Sequence, residues 1–162
     1  MLKLPGCLIL GAACIFAGFM KRGELMWRNR LLEDLESSFL KLENEIAATF
    51  VPLPVAMENA GEGMAESFFQ SAARLIYEMG PVAGVKEAVS RCNFKKEENA
   101  VLLSFANGLS APDTSGQLKN IKLCRGRLEL LNKKMSEKNG EKGNLYVKMG
   151  VMSALMVVIL FI

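Results

Sequence analysis

Residues 25–46 read LMWRNRLLEDLESSFLKLENEI, and this stretch decides the fold. Its apolar side chains recur three and four positions apart, a spacing that places them along one face of an α-helix. Pro52 and Pro54 follow, and they predict the end of this helix because proline removes a backbone donor and clashes with the preceding turn. The pattern predicts a long helix that buries one face in a helical core. The residues of that face are Leu25, Leu32, Leu35, Phe39, Leu42 and Ile46.

The rest of the middle region repeats the helical spacing and shows no sustained strand-like alternation. Gly80-Pro81 and the segment 110–113 are breaks between helices, and Asn139-Gly140 and Gly143-Asn144 are expected to loosen the last helix. We therefore predict an all-α bundle of five or six helices. After the first helix, the expected elements are a short turn at 57–60, helices at 64–79, 82–92 and 95–109, and a last helix with its apolar face at 121–135. The apolar face of the 64–79 helix is Met64, Phe68, Ala72, Leu75 and Met79.

Both ends of the chain are apolar. Residues 4–20 and 149–162 contain no charged residue, and a helix over 4–20 is roughly 25 Å long, near the short limit for a bilayer core. The predicted fold is a small cytoplasmic helical bundle with an N-terminal and a C-terminal transmembrane helix. Its predicted divisions are an N-terminal transmembrane segment at 1–22, the bundle at 23–145 and a C-terminal transmembrane segment at 146–162.

Each apolar end has an alternative interpretation. The first resembles a secretory signal peptide with a lipoprotein-type cleavage site near Cys14, although Lys21 and Arg22 follow it in the manner of a membrane stop. The second is also compatible with a buried helix, but a helix that is apolar on every face needs apolar surroundings on every side. A small domain does not supply those surroundings, so a membrane segment is favoured.

The charged residues give an orientation. Lys3 is the only charged residue outside 21–148, so this middle region carries 19 of the 20 basic residues and all 17 acidic ones. Basic residues exceed acidic ones just after the first apolar segment and just before the second. Both excesses lie on the side of the middle domain, which predicts that this domain faces the cytoplasm. The near-balance of charge also argues against a nucleic-acid-binding surface.

Small residues line one side of each predicted membrane helix. In the first segment they follow a four-three-four spacing, which is typical of closely packed membrane helices. Ordinary tolerance of small residues in membrane helices is the alternative explanation. The candidate packing residues are Cys7, Gly11, Cys14 and Gly18 in the first segment and Gly150 and Ser153 in the second.

The sequence offers no catalytic constellation. It contains no histidine and no Cys-x-x-Cys pair, so it predicts neither a metal site nor a cofactor, and the protein is not expected to be an enzyme. Cys92 and Cys124 fall on apolar helix faces and are interpreted as core residues rather than nucleophiles. Glu43 and Glu45 are two residues apart, so they point to different sides of a helix and are interpreted as solvated surface groups.

Motifs dispersed along nearly the whole chain resemble the stage III sporulation protein AB family of endospore-forming bacteria. Two departures are Ala106 and Ser110, where the family usually has glycine, so the turn after the fourth helix is expected to be built differently. The matching motifs are MLKL at 1–4, LENEI at 42–46, Pro52-Leu53 with Ala56, Phe68-Phe69, Glu87-Ala88, Leu102-Leu103-x-Phe105, the set Leu109, Asp113, Gln117 and Ile121, and the C-terminal apolar segment.

The resemblance implies a membrane protein of the mother cell, located in the membrane around the forespore. It further implies similarity to the platform protein of type II secretion and type IV pilus systems, a scaffold that binds a cytoplasmic secretion ATPase. The partners expected from it are the sporulation ATPase of the same operon and other channel components, with no nucleic acid and no small-molecule substrate. The alternatives are an exported lipoprotein and a membrane-bound enzyme. Leu53, Phe105, Leu109, Asp113 and Gln117 are candidate partner-binding residues, although a cap at Asp113 and core positions for the others remain the alternative.

Overall fold

The computed structural model describes the backbone of residues 3–49, 51–110 and 114–161, and every long element in these ranges is a helix. Within them, the side chains of residues 3–11, 14, 15, 49, 114, 154, 157, 158, 160 and 161 lie outside the description. The all-α prediction is confirmed. The elements are α1 (Lys3–Thr49), α2 (Leu53–Ala60), a 3₁₀ turn (Gly63–Ala65), α3 (Glu66–Met79), α4 (Pro81–Arg91), α5 (Lys96–Gly108) and α6 (Thr114–Phe161).

The chain divides into two compact units. We call residues 30–133 the bundle, and residues 1–29 together with 134–162 the helix pair. The divisions predicted from the sequence are at 22/23 and 145/146 instead, so the helix pair contains about two further turns of α1 and about three further turns of α6. The boundaries of the proposed membrane segments remain a prediction.

Phenylalanine rings form the centre of the bundle. The Phe39 ring of α1 meets the Phe69 ring of α3 edge-on with 5.3 Å between centroids, and the Phe105 ring of α5 with 4.9 Å. Around these rings α3 packs against α2 and α4, and α4 packs against α5. The expected face of α1 is fully buried from Leu32 to Ile46. Met79 is exposed, contrary to the predicted apolar face, because α3 ends at that residue.

Proline, glycine and a carboxylate set the helix ends. Pro52 precedes α2, and Pro81 is the first residue of α4, where proline costs no backbone hydrogen bond. Gly80 ends α3 with a φ of 86°, a left-handed conformation that glycine adopts without strain. At the start of α5 the backbone N–H of Lys95 donates to the Glu98 carboxylate at 2.7 Å. These contacts explain why the breaks fall where the sequence indicates them.

In the helix pair, α1 and α6 run antiparallel. Gly18 lies against the backbone of Tyr146, and further along α1 the side chain of Asn139 donates a 2.7 Å hydrogen bond to Asn29. Asn139 is buried, so its amide fixes how the two helices align. The sequence analysis expected Asn139-Gly140 and Gly143-Asn144 to loosen the last helix, and this is wrong. α6 continues through them unbroken, supported by its packing on α1.

No helix has enough length and apolar character to cross a membrane, as judged over the described residues alone. The two transmembrane helices expected from the sequence remain a prediction.

Candidate functional surfaces

The five candidate partner-binding residues do not form one exposed patch in the structure. Phe105 and Leu109 are buried, and Leu53 and Gln117 are half-buried. Asp113 lies outside the described residues. Phe105 is part of the phenylalanine centre, so a partner could reach its ring only if the bundle opened. Leu53 and Gln117 are the described members of this set nearest the surface, and Leu109 begins the turn that follows α5.

That turn depends on Asn120, which the sequence analysis did not single out. Its side chain donates to the backbone carbonyl of Phe105 at 2.8 Å and so satisfies one of the free carbonyls near the end of α5. A Cβ at Gly108 would overlap the Asn120 side chain, so a larger residue there requires that side chain to move. The hydroxyl of Ser110 donates to the carbonyl of Asn107 at 2.7 Å. With Leu109 in a right-handed conformation, the chain turns without a glycine at 106 or 110.

The candidate membrane-packing residues fall in three groups. A Cβ on Gly18 would lie 2.9 Å from the carbonyl oxygen of Tyr146, so the absence of a side chain permits the close approach of α1 and α6 there. Gly150 is also buried, whereas Ser153 is exposed and its hydroxyl donates to the carbonyl of Met149 at 2.7 Å. The environments of Cys7, Gly11 and Cys14 lie outside the described residues.

The helix pair presents a large apolar surface. Phe16 is 67% exposed, Phe19 55% and Ile159 77%, values that a folded domain in water rarely shows for several large side chains together. The apolar residues extend along both helices instead of forming one small patch. Among the side chains described in the pair, the other exposed large apolar residues are Met20, Met26, Trp27, Leu145, Tyr146, Met149, Val151, Met152, Leu155 and Met156.

An ion pair inside the bundle joins α1 to α6. The carboxylate of Glu43 is only 14% exposed and lies 3.2 Å from the guanidinium of Arg125 and 3.8 Å from the ammonium of Lys122. The interpretation of Glu43 as a solvated surface group is therefore wrong. It assumed that this side of α1 faces water, whereas α6 covers it. The spacing of two basic residues three apart on the last helix was the signal that could have indicated a buried acidic partner.

A second polar group fastens the loop between α2 and α3 to α1. The side chains of Ser37 and Lys41 contact the Glu62 carboxylate, and the backbone N–H of Glu62 donates to the Ser38 hydroxyl at 3.1 Å. The contact with Lys41 first, and that with Ser37 second, lower the pKa of Glu62 below its ordinary value. Asp34 accepts the backbone N–H of Met64 at 2.8 Å. These side chains are used to hold a loop, which gives them a structural role.

Burial disfavours the thiolate form of both cysteines in the bundle. Burial raises the pKa of Cys124 to about 12, and burial also raises the pKa of Cys92. Since the thiolate is the reactive form, neither sulfur is suited to nucleophilic catalysis at neutral pH. No group of three or more histidine, cysteine or acidic residues that could hold a metal ion occurs within the part of the chain that the structure describes.

Comparison with known proteins gives one consistent result. The family described as stage III sporulation protein AB matches residues 3–162. The stage III sporulation protein AB of Bacillus subtilis (strain 168) is 24% identical over 173 residues, an alignment that covers 99% of each chain. A solved structure of stage III sporulation protein AB has a TM-score of 0.59 and 23% identity, and the similarity covers 70% of this chain and 97% of that one. At this identity the solved structure establishes a similar fold.

Proposed function

This chain belongs to the stage III sporulation protein AB family, and its role is in sporulation; from that premise we propose that it is a membrane-anchored scaffold without catalytic activity. In this proposal the helix pair is held in the membrane and the bundle faces the cytoplasm of the mother cell. The bundle couples a sporulation secretion ATPase, and with it other channel components, to the membrane around the forespore.

The apolar surface of the helix pair is the observation that carries the anchoring part of the proposal. Side chains such as Phe16, Met152 and Ile159 are exposed, and each would cost free energy in water at about 25 cal/mol for every Å² of apolar surface. In hydrocarbon that cost disappears. The helices of the pair also continue into the two charge-free segments, 4–20 and 149–162. Lipid is therefore the environment that best suits this unit.

The basic residues at the inner ends of the helix pair support the proposed orientation. Lys21 and Arg22 follow the first charge-free segment, and Lys142 and Lys148 precede the second. Such residues favour the cytoplasmic side and attract anionic lipid headgroups. Because α1 and α6 run antiparallel, these basic residues lie at the same end of the pair. A hairpin inserted from the cytoplasm is the arrangement that suits them.

The side chains of the bundle support the scaffold role, because those described below serve to hold the fold together. Its core is filled by side chains such as Phe39 and Phe105, its polar groups hold helices and a loop together, and its two thiols are kept protonated. A bundle of this kind presents surfaces on which partners can bind. Resemblance to the platform proteins of secretion systems supplies the expected partner, a cytoplasmic ATPase.

Co-purification tests the coupling. The full chain, solubilised in detergent and carrying an affinity tag, is mixed with the purified ATPase of the same operon, with an unrelated two-helix membrane protein as the control. We expect the ATPase to be retained by the tagged chain and absent from the control. Failure to associate both in detergent and after cross-linking in sporulating cells would refute the coupling.

Cysteine labelling tests the topology and separates the scaffold from the exported lipoprotein. In a chain whose four cysteines are replaced by alanine, Ser67→Cys places a thiol at an exposed position of α3. The scaffold predicts labelling only after the cytoplasmic side of the membrane is opened to a non-permeant maleimide. The lipoprotein predicts labelling of intact cells.

A further inference from the structure

The outward face of α6 in the bundle carries a second apolar seam, separate from the one that faces the core. Ile121, Cys124 and Leu128 are buried, whereas Leu123 is 53% exposed and Leu130 71% exposed. The outward residues follow a spacing of four, three, four and three, which is the repeat by which one helix packs against another. We call this set the outer seam; its residues are Lys119, Leu123, Gly126, Leu130 and Lys133.

Gly126 forms a notch at the middle of the outer seam. A Cβ added there would meet no described atom within 4 Å, so the glycine is not required by packing inside the bundle. Glycine in an exposed helix interior costs about 1 kcal/mol relative to alanine. Because Gly126 has no side chain, the backbone of another helix can come close to α6 there, between the exposed side chains of Leu123 and Leu130.

Charge distinguishes between possible occupants of the outer seam. From 114 to 133, α6 carries five basic residues and only Glu129 as an acidic one. Two of the five, Lys122 and Arg125, are directed at Glu43, but Lys119 and Lys133 form no ion pair with any described residue and mark the two ends of the seam. A helix with carboxylates near both ends would complement them.

A second copy of this chain is poorly suited to bind the outer seam. If two outer seams met antiparallel about Gly126, Lys119 of each copy would lie opposite Lys133 of the other, because the two lysines are equally distant from the glycine. If the seams met in parallel, each lysine would lie opposite itself. Both arrangements place like charges together, which costs binding free energy.

We propose that the outer seam docks an acidic amphipathic helix of the ATPase, so that this inference rests on the coupling proposed above. Apolar residues of that helix lie against Leu123 and Leu130 and over Gly126, and its carboxylates pair with Lys119 and Lys133. The two lysines are 14 positions apart, or roughly 21 Å along α6, so the docked segment has about four turns.

The test measures the affinity of the full chain in detergent for the purified ATPase. Leu123→Asp with Leu130→Asp is expected to weaken binding at least about tenfold, since central apolar anchors carry much of an interface's affinity. Lys119→Glu with Lys133→Glu is expected to weaken it about three- to tenfold and to reduce its salt dependence. Tyr77→Asp is the matched control, because Tyr77 is a large side chain on α3 with 67% exposure, and it should change the affinity less than about twofold. Far-UV circular dichroism of each variant establishes that the bundle is folded.

The outcomes separate the two proposals. If the wild-type chain binds the ATPase and the seam variants bind equally well, the inference is overturned and the coupling stands. If the wild-type chain does not bind the ATPase in detergent, the photo-reactive residue benzoylphenylalanine is introduced at Leu123 and at Leu130, and cross-linking in sporulating cells decides the inference. An adduct mapped by mass spectrometry to an acidic helix of the ATPase, lost on Lys119→Glu, supports the inference, whereas an adduct with a different protein overturns it. No adduct, or an adduct with a second copy or a non-acidic segment, overturns it.

Discussion

The bundle and the helix pair use the same apolar residue types with opposite exposure. In the bundle Phe39, Phe69 and Phe105 are buried against one another, whereas in the helix pair Phe16 and Phe19 are exposed. In the bundle α3 packs against α1, α2 and α4, whereas the described contacts within the helix pair join α1 and α6 to each other. Two helices cover each other along a single stripe, so most of their apolar surface needs another apolar environment. This contrast is what the proposed function expects of one unit held in lipid and one in water.

The sharpest test of the contrast replaces one phenylalanine in each unit. Phe39→Ala is expected to destabilise the bundle by about 3–5 kcal/mol, because it leaves a cavity between Phe69 and Phe105. Phe19→Ala, the matched control, should change the free energy of unfolding by less than about 0.5 kcal/mol. Urea unfolding of the full chain in detergent, followed by circular dichroism, gives both values. Equal changes in the free energy of unfolding for the two variants would contradict the difference in phenylalanine burial between the two units.

Glycine substitutions test how closely the bundle helices approach. A Cβ on Gly84 of α4 would lie 2.6 Å from the backbone nitrogen of Ile76 on α3, and backbone does not yield as a flexible side chain does. Gly84→Ala is therefore expected to cost about 1–3 kcal/mol. Gly126→Ala, at an open position on α6, should stabilise the bundle by up to about 1 kcal/mol. A midpoint shift of the same sign for both variants would contradict the close approach of α3 and α4.

A similar comparison tests the helix pair by itself. Gly18 lies against the carbonyl of Tyr146, whereas Gly23 has open space around it. Gly18→Leu is expected to weaken the pairing of α1 and α6 by about 1–3 kcal/mol, and Gly23→Leu to leave it intact. The readout is the yield of a disulfide between cysteines introduced at Asn29 and Asn139, whose side chains are in contact. A disulfide yield that falls equally in both variants would contradict the prediction that Gly18 permits the close approach of α1 and α6.

The smallest expected effect is on how the stability of the bundle depends on pH in the acid range. The contacts with Lys41 and Ser37 lower the pKa of Glu62, so the ionised carboxylate stabilises the folded bundle above its ordinary value of 4.5. That stabilisation is lost as the pH falls below 4.5. Lys41→Met should therefore flatten the dependence of the unfolding midpoint on pH in the acid range, and Lys86→Met, at an exposed position of α4, should not. An unchanged slope for Lys41→Met would mean that the contact with Glu62 does not stabilise the loop.

Much of the helical architecture was predictable because it depends on local signals. Pro52 and Pro81 prevent a helix from continuing through them, and the face from Leu32 to Ile46 has a period that only a helix places on one side. The predicted loosening at Asn139 is wrong because asparagine and glycine favour turns only in isolated segments. In the structure Asn139 is buried against Asn29, and this pairing between distant parts of the chain outweighs the local preference.

Side chains that act across the bundle could not be assigned from one sequence. Whether Glu43 faces water depends on where α6 passes, and Arg125 lies more than eighty residues further along the chain. Asn120 and Phe105 are likewise joined only by the fold. Among the candidate interface residues, Phe105 and Leu109 show that membership of a family pattern does not distinguish a core position from a surface one.

Alkaline carbonate extraction tests most directly whether the helix pair is adapted to lipid. Membranes from cells that contain the full chain are washed with carbonate and centrifuged, with a peripheral membrane protein as the control for complete stripping. We predict that the chain remains in the membrane pellet while the control is released. Release of the intact chain into the supernatant as a free, monomeric protein would contradict the account.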